Sequence, residues 1–364
     1  MFRFHERYDP SVGFIFCVGQ PQSPLMITDI SAFLRSVWSP RRNAVHLYFH
    51  APCFDGVVSA AIASEYLAHV KFYPHVQLHG VNYDLRDTWL RSELKQPAAV
   101  VDFLYHPQAE LWADHHRTAF VNSQSRAEYE RRRSPDIFYD SNVSSCAVLL
   151  WTHWRAKLPN LGERFEETVR WAERIDSARY DCVDQALAFN APALQISLAL
   201  AMYSGDGFSQ HLVWLFRTQS LEEVASRPEV QTAFSFGRHL QELGQERLQD
   251  TIRLTDNGIA VFDVNAQDVL VNRYAPFHFF PRARYSAGIV RRSNQAKLTV
   301  MRNPWLEFPS APLGDICAEL GGGGHQRVGS IIIRDSNPRE LLDRVVAEIG
   351  AWEEQRTEAA AAIA

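Results

Sequence analysis

The sequence has no C-x-x-C pair, no apolar run long enough to span a bilayer, no internal repeat and no long basic stripe, and each absence removes a class of protein. Its five cysteines (Cys17, Cys53, Cys146, Cys182 and Cys317) are odd in number and widely scattered, which argues against a disulfide framework. All but Cys53 read as small buried apolar residues. The longest apolar stretches, Gly13 to Gly19 and Val143 to Trp151, fall far short of the roughly 20 residues of a membrane helix. Met1 to Ser23 carries His5, Glu6 and Asp9 and shows no long hydrophobic region followed by a cleavage site, so a cytoplasmic location is expected. A formal charge of −5 is too mild to specify a partner, because a carboxylate-rich metal site adds negative charge that bound cations offset.

What is present is the balance of a globular protein, 46% apolar and 22% charged over 364 residues. That length favours two domains, each with its own core. The N-terminal half alternates short apolar runs with helical patterns, as βαβ units of a parallel sheet do. Val45 to Phe49, Val76 to Val81, Ala98 to Val101 and Leu111 to Ala113 read as strands, and Val57 to Val70 as a helix. From Ser141 the chain reads as mainly helical, with Asp140 or Ser141 as the first cap and helices through Ala188 and from Ser197 to Phe216. After Asn257-Gly258 strands return at Ile259 to Val264, Tyr285 to Arg291, Ala296 to Met301 and Ser330 to Ile333, followed by a helix from Pro338 to about Trp352. The expected division is residues 1–240 as one domain with a helical linker to about 254, 255–352 as a second, smaller α/β domain, and 353–364 as a fraying tail.

Three groups of residues carry chemistry. HAPCFDGVVSAA, from His50 to Ala61, follows a strand and opens a helix; Asp102 follows the apolar run Ala98 to Val101; Asp114-His115-His116 follows a third strand. In an open parallel sheet, ligands bind beyond the carboxyl ends of the strands, so imidazoles and carboxylates would meet at one edge. A lone aspartate after a strand is usually a turn or cap. Three such ends together offer the donor mixture suited to manganese or related divalent ions, and two such ions can drive phosphoryl hydrolysis.

These motifs resemble the DHH phosphoesterase superfamily with its associated DHHA1 domain, whose oligoribonuclease and nanoRNase-like members are related to single-strand exonucleases. The triplet is Asp114 to His116, the first motif is His50 with Asp55-Gly56, and GGGGHQRVGS from Gly321 to Ser330 resembles the family's C-terminal GGGH motif; the likeness covers roughly residues 45 to 335. It implies an N-terminal parallel-sheet DHH domain with helices on both faces and a smaller C-terminal DHHA1-type α/β domain. It also implies that His50 binds one metal and Asp55 the other, that Asp102 bridges them, and that His115 and Asp176 complete the shell of the second metal, with Asp181 and Asp184 as alternatives to Asp176. Asp114 would orient His115, and His116 would meet the substrate phosphate or leaving group. Cys53 stands where the family has its first metal-binding aspartate, and is either a thiolate ligand that favours softer ions or a bystander.

Gly321, Gly322, Gly323 and Gly324 can present backbone N–H groups to an anion, with His325 adding a hydrogen bond. Arg284, Arg291, Arg302 and Arg327 lie in or near the strands of that domain; each alone reads as a surface charge, and Arg284 is the candidate phosphate contact. Arg131 to Arg133 reads as an exposed helix end rather than a nucleic-acid contact. Phe277 to Phe280 either packs or stacks on a base. The tryptophans at 151, 154 and 171 read as core.

The function expected is hydrolysis of short oligonucleotides or linear or cyclic dinucleotides to nucleoside monophosphates with two Mn2+ ions, Mg2+, Zn2+ or Fe2+ being alternatives. The expected partner is that nucleic-acid or dinucleotide substrate and not a membrane, with a homodimer left open. A pyrophosphatase or polyphosphatase is a second reading, disfavoured by the glycine loop. A nucleotide-binding module impaired at Cys53 is a third.

Overall fold

The computed structural model describes residues 44–158, 162–203, 205–292, 295–333 and 337–361. The expectations for Cys17, Gly13 to Gly19 and Met1 to Ser23 fall outside the described residues, as does the side chain of His325.

Strands β1 (Val45–His50), β2 (Val76–Val81), β3 (Ala98–Val101), β4 (Ala109–Asp114) and β5 (Ile137–Tyr139) form a sheet in the order β2-β1-β3-β4-β5, with every neighbouring pair parallel. Parallel pairing requires crossovers, and helices α1 (Phe54–His69) and α2 (Ser123–Arg132) supply two of them. Side chains alternate across the sheet. Val45, Leu47, Phe49, Ala99, Val101, Leu111 and Ala113 pack into the larger core with α1. Tyr48, Ala98, Val100 and Trp112 face the other side, against Trp89, Phe103, Tyr105 and Tyr129 of α2. Both faces are therefore buried, which explains the unbroken apolar run in β3.

A helical stretch follows: α3 (Cys146–Trp154), α4 (Gly162–Asp176), α5 (Val183–Ala188), α6 (Pro192–Leu200), α7 (Asp206–Phe216), α8 (Leu221–Ala225) and α9 (Pro228–Gln249). Its first helix starts later than the sequence suggests. Asp140 accepts the Asn142 N–H at 2.9 Å in a local turn, and Ser145 is the cap, its hydroxyl accepting from the Val148 N–H at 3.2 Å. Trp151 and Trp154 are core residues, whereas Trp171 is half-buried beneath the Arg174 guanidinium.

The second sheet comprises β6 (Arg253–Leu254), β7 (Ile259–Asn265), β8 (Tyr285–Arg292), β9 (Gln295–Arg302), β10 (Gly323–His325) and β11 (Val328–Ile333), in the order β10-β11-β9-β8-β7-β6. Only β7 and β8 run parallel. Helix α10 (Ala275–Phe279) contributes to the core on one face. Helices α11 (Leu313–Glu319) and α12 (Pro338–Ala361) cover the other with Leu313, Cys317, Leu341, Leu342, Val345 and Ile349. The final helix does not end near Trp352 but continues to Ala361, and just past Trp352 Glu353 accepts a hydrogen bond from the Tyr285 hydroxyl at 2.6 Å and pairs with Arg284 at 2.7 Å. The expected tail thus begins as packed helix.

The segment after α4 packs against the part of the chain that carries the second sheet. Trp305 Nε1 donates to the Tyr180 carbonyl at 2.8 Å, and the Tyr180 and Tyr274 rings meet edge-on at 5.3 Å. Among the described residues, no helix is long and apolar enough to cross a membrane.

Candidate metal centre

His50 ends β1, Asp102 follows β3 and Asp114 ends β4, so parallel pairing delivers all three to one edge. The β1–β3 register sets Phe49 beside Val101, which places His50 next to Asp102. Asp102 is fully buried in a left-handed conformation (φ 54°), with its N–H donating to the Ala113 carbonyl at 3.0 Å. Aspartate tolerates that region better than most side chains, yet the strain still has to be held by the surroundings, as is common at functional sites. Gly56 is required at the first turn of α1, because a Cβ there would lie 2.0 Å from the His50 carbonyl oxygen.

Asp102 presents its two oxygens to different neighbours. Oδ2 lies 3.6 Å from His50 Nδ1, while Oδ1 lies 3.7 Å from His115 Nε2 and 3.8 Å from His116 Nδ1. His115 Nε2 is also 3.7 Å from Asp55 Oδ2 and 3.4 Å from Asp176 Oδ2. These spacings of 3.4–3.8 Å exceed a good hydrogen bond and are slightly wider than the roughly 3–3.5 Å between ligands that sit about 2.1 Å from one ion. The potential ligand atoms form three overlapping groups, each within 4.8 Å: His50, Cys53 and Asp102; Asp55, His115 and Asp176; and Asp102 with Asp114, His115 and His116.

The chemistry of these atoms fits divalent cations. His50 Nδ1, both Asp102 oxygens, Asp114 Oδ2 and His115 Nε2 are buried without hydrogen-bond partners, a costly arrangement unless something else satisfies them. His115 Nδ1 lies 3.2 Å from the Val143 carbonyl, which can only accept, so Nδ1 carries the proton and Nε2 offers its lone pair. Asp55 is fixed by the backbone N–H groups of Cys146 (2.7 Å) and Ala147 (2.9 Å) at the start of α3, which orients it while leaving lone pairs free. Of the three acidic candidates near the end of α4, the structure brings in Asp176. Asp181 pairs with Arg174 at 3.2 Å and Asp184 lies 3.6 Å from His278.

Charge crowding shifts the titration of the group. Burial, followed by the charges of Asp55, Asp114 and Asp176, pushes Asp102 well above the carboxylate range. Burial and Asp55 raise Asp176 to about 6. Burial, then neighbouring His116, lowers His50 to about 4, leaving it neutral and able to ligate at pH 7. Burial works against charge on His116 too, but Asp114, 2.7 Å from its Nδ1, overcomes this and raises it to about 9. Burial and Asp102 push the Cys53 thiol up, so a cation would be needed to hold its thiolate.

Tyr83 is a residue that the sequence reading missed. It stands two positions after β2, at the same sheet edge, where Asn82 accepts its N–H at 2.7 Å. Its ring meets His50 edge-on at 4.8 Å and His116 at 6.0 Å, and its hydroxyl is buried with no partner. An unsatisfied buried hydroxyl costs about 1–3 kcal/mol. The strand-end rule applied to Val76 to Val81 would have pointed there.

The remaining candidates lie elsewhere. Gly321 to Gly324 lead into and form the β10 edge of the second sheet, with Gly321 and Gly324 at positive φ (85° and 158°). Arg284 is engaged by Glu353 and lies 4.4 Å over the Phe308 ring. Arg291 binds both Asp263 oxygens at 2.7 Å. Arg302 is not a surface charge: it is 4% exposed and donates to the carbonyls of Asn303, Leu306 and Phe308. Arg327 is exposed. Arg132 donates to the Pro107 and Ala109 carbonyls, and Arg133 lies near Glu130. Phe277 is buried against Trp305, whereas His278 is exposed beside Asp184.

No family model and no curated protein matches the chain. Solved structures do. The pGpG-specific phosphodiesterase PggH from Vibrio cholerae superposes with a TM-score of 0.65 at 16% identity, covering 85% of this chain and 99% of that one. The DHH domain of a protein grouped with a family of ribosomal proteins gives 0.55 at 13% identity over 84% of this chain and 86% of that one. The chain shares the fold of these two proteins. RecJ from Thermus thermophilus, in complex with Mn2+, superposes with a TM-score of 0.50 at 16% identity, covering 85% of the present chain and 52% of RecJ.

Proposed function

We propose that this protein is a metal-dependent hydrolase, a phosphodiesterase that cleaves short oligonucleotides or linear or cyclic dinucleotides to nucleoside monophosphates. The observation that carries the reading is Asp102, whose two unpartnered oxygens face His50 on one side and His115 on the other. In this reading His50, Cys53 and Asp102 hold one divalent cation, and Asp55, Asp102, His115 and Asp176 hold a second, Mn2+ being the first expectation and Mg2+, Zn2+ or Fe2+ alternatives. Bound cations supply Lewis-acid polarisation of a phosphoryl oxygen and a nucleophilic water at neutral pH.

The protein's residues have complementary tasks. Asp114 orients His116 and keeps it protonated, so His116 can donate a hydrogen bond to a phosphate oxygen or a proton to the departing oxygen. Val143 fixes the His115 tautomer, and the α3 N–H groups fix Asp55. The backbone of Gly321 to Gly324 is proposed to hold the substrate end distant from the cations, together with His325; Arg284 would first have to leave Glu353. The likeness to PggH, which is named for its action on pGpG, and to RecJ with Mn2+ supports a nucleotide substrate and this metal. Such substrates make the cytoplasm the expected compartment, and the proposed active unit is either one chain or a homodimer.

The second reading, a nucleotide-binding module with an impaired first metal position, rests on Cys53, whose thiol is held neutral by burial and nearby carboxylates. Incubation with Mn2+ and 5′-phosphorylated dinucleotides, cyclic dinucleotides and pyrophosphate, with Asp102→Ala as control, separates the readings. Nucleoside monophosphate release that disappears in the variant supports the phosphodiesterase. Dinucleotide binding without turnover supports the module, and release of phosphate from pyrophosphate alone supports phosphoanhydride hydrolysis.

A further inference from the structure

Tyr83 is packed between three rings at the site. Its ring is tilted against Phe103 at 5.1 Å and meets the His50 and His116 rings edge-on, so the hydroxyl cannot swing towards bulk solvent without breaking those contacts. Asn82 fixes the backbone just beyond β2, and Leu85 N–H closes the turn on the Asn82 carbonyl at 3.0 Å. Yet the hydroxyl has no partner although it is buried. Phenylalanine would fill the same space without that penalty, so folding provides no account of the oxygen.

The unpartnered carboxylate oxygens of Asp102 and Asp114 also fail to reach this hydroxyl. In the loaded centre, cations would occupy the Asp102 oxygens and the His50 nitrogen, whereas the hydroxyl would remain a free donor beside the His116 ring. The complementary ligand is an anion with several acceptor oxygens. We propose that Tyr83 is a substrate-contacting residue whose hydroxyl donates a hydrogen bond to a non-bridging phosphoryl oxygen, completing with His116 a two-donor phosphate clamp on the side of His50. The substrate class is a phosphate mono- or diester. This inference rests on the metal centre described under the proposed function.

Tyr83→Phe tests it, because that change removes one atom from a ring that remains packed. Three measurements are made on wild type and variant: thermal melting, calorimetric binding of inorganic phosphate to the Mn2+-loaded protein, and steady-state hydrolysis of a 5′-phosphorylated dinucleotide. The expected variant melts at the same or a higher temperature, keeps its Mn2+ affinity, and binds phosphate roughly ten- to a hundredfold more weakly, the range for a hydrogen bond to a charged group. Its kcat/KM falls by a similar factor. Equal phosphate affinity in the two proteins overturns the inference, as water occupying the gap would predict. A lower melting temperature also overturns it, by revealing a structural partner, and so does absence of phosphate binding by wild type. Turnover abolished by Asp102→Ala but unchanged in Tyr83→Phe would remove this inference and leave the proposed function. Phosphate binding weakened in Tyr83→Phe without dinucleotide turnover by wild type would do the reverse.

Discussion

His116 Nδ1 lies 2.7 Å from Asp114 Oδ1, and that same oxygen accepts the backbone N–H groups of His115 at 2.7 Å and His116 at 3.3 Å. One buried carboxylate thus positions both histidines and favours the charged form of His116. Asp114→Asn keeps the shape and removes the charge that holds His116 protonated. Hydrolysis should fall about 10- to 100-fold, the usual loss when an orienting partner is removed. The alkaline limb of its pH profile should also move to lower pH, and an unmoved limb would exclude His116 as the titrating group.

In wild type that limb is expected at higher pH than in the variant, because Asp114 lies 2.7 Å from His116 Nδ1 and favours its charged form. His116 is a base whose pKa rises on folding to about 9, so its contribution to stability is full below its ordinary value of 6.5 and is lost as pH rises through 9. Activity that needs the imidazolium declines over the same interval. Rates measured from about pH 6 to 10, a span that brackets both values, check this, with His116→Asn expected to lose the limb.

Asp176 has the opposite consequence. Its folded pKa of about 6 lies above the ordinary carboxylate value of 3.8, so the metal-free fold loses stability as pH rises between the two. Asp176→Asn should therefore melt higher than wild type at pH 7 in the presence of a chelator. It should also lose most of the stabilisation that Mn2+ gives wild type, because one ligand is gone. A variant that melts lower in chelator would show that Asp176 serves the fold rather than the ion.

Cys53→Asp replaces a sulfur donor with oxygen beside His50 and Asp102. Oxygen suits Mn2+ and Mg2+, whereas thiolate favours softer ions. Calorimetry should show tighter Mn2+ binding and a smaller preference for Zn2+ in the variant; identical ion preference would make Cys53 a bystander.

Arg302 provides a control away from the metal centre. Its guanidinium is buried among three carbonyl acceptors, and Arg302→Met should destabilise the protein by about 3 kcal/mol in urea denaturation. Phosphate binding by the variant that remains folded should match wild type. A loss confined to phosphate affinity would instead make Arg302 a substrate contact.

Much of this organisation is legible in the sequence because it follows from local rules. Apolar runs alternating with helical patterns imply parallel strands, and parallel strands put His50, Asp102 and Asp114 at one edge whatever the details of packing. The glycine after Asp55 is similarly a local requirement, set by the distance to the His50 carbonyl. Other features depend on which surfaces meet. Asp176, Asp181 and Asp184 are equivalent in type and close in sequence, and only the direction in which α4 ends brings the first to His115. Arg284 looked available for phosphate until α12 ran past Trp352 and brought Glu353 against it. Sequence marks Tyr83 only by its place just after β2, and that its ring lies across His50 depends on β2 pairing with β1. Sequence patterning by itself determined the sheet and the edge on which chemistry would occur, since strand period and crossover geometry act over a few residues. Tertiary packing alone decided which neighbouring carboxylates, arginines and aromatics share that edge, since their partners lie far away along the chain and are selected by helix length, register and burial.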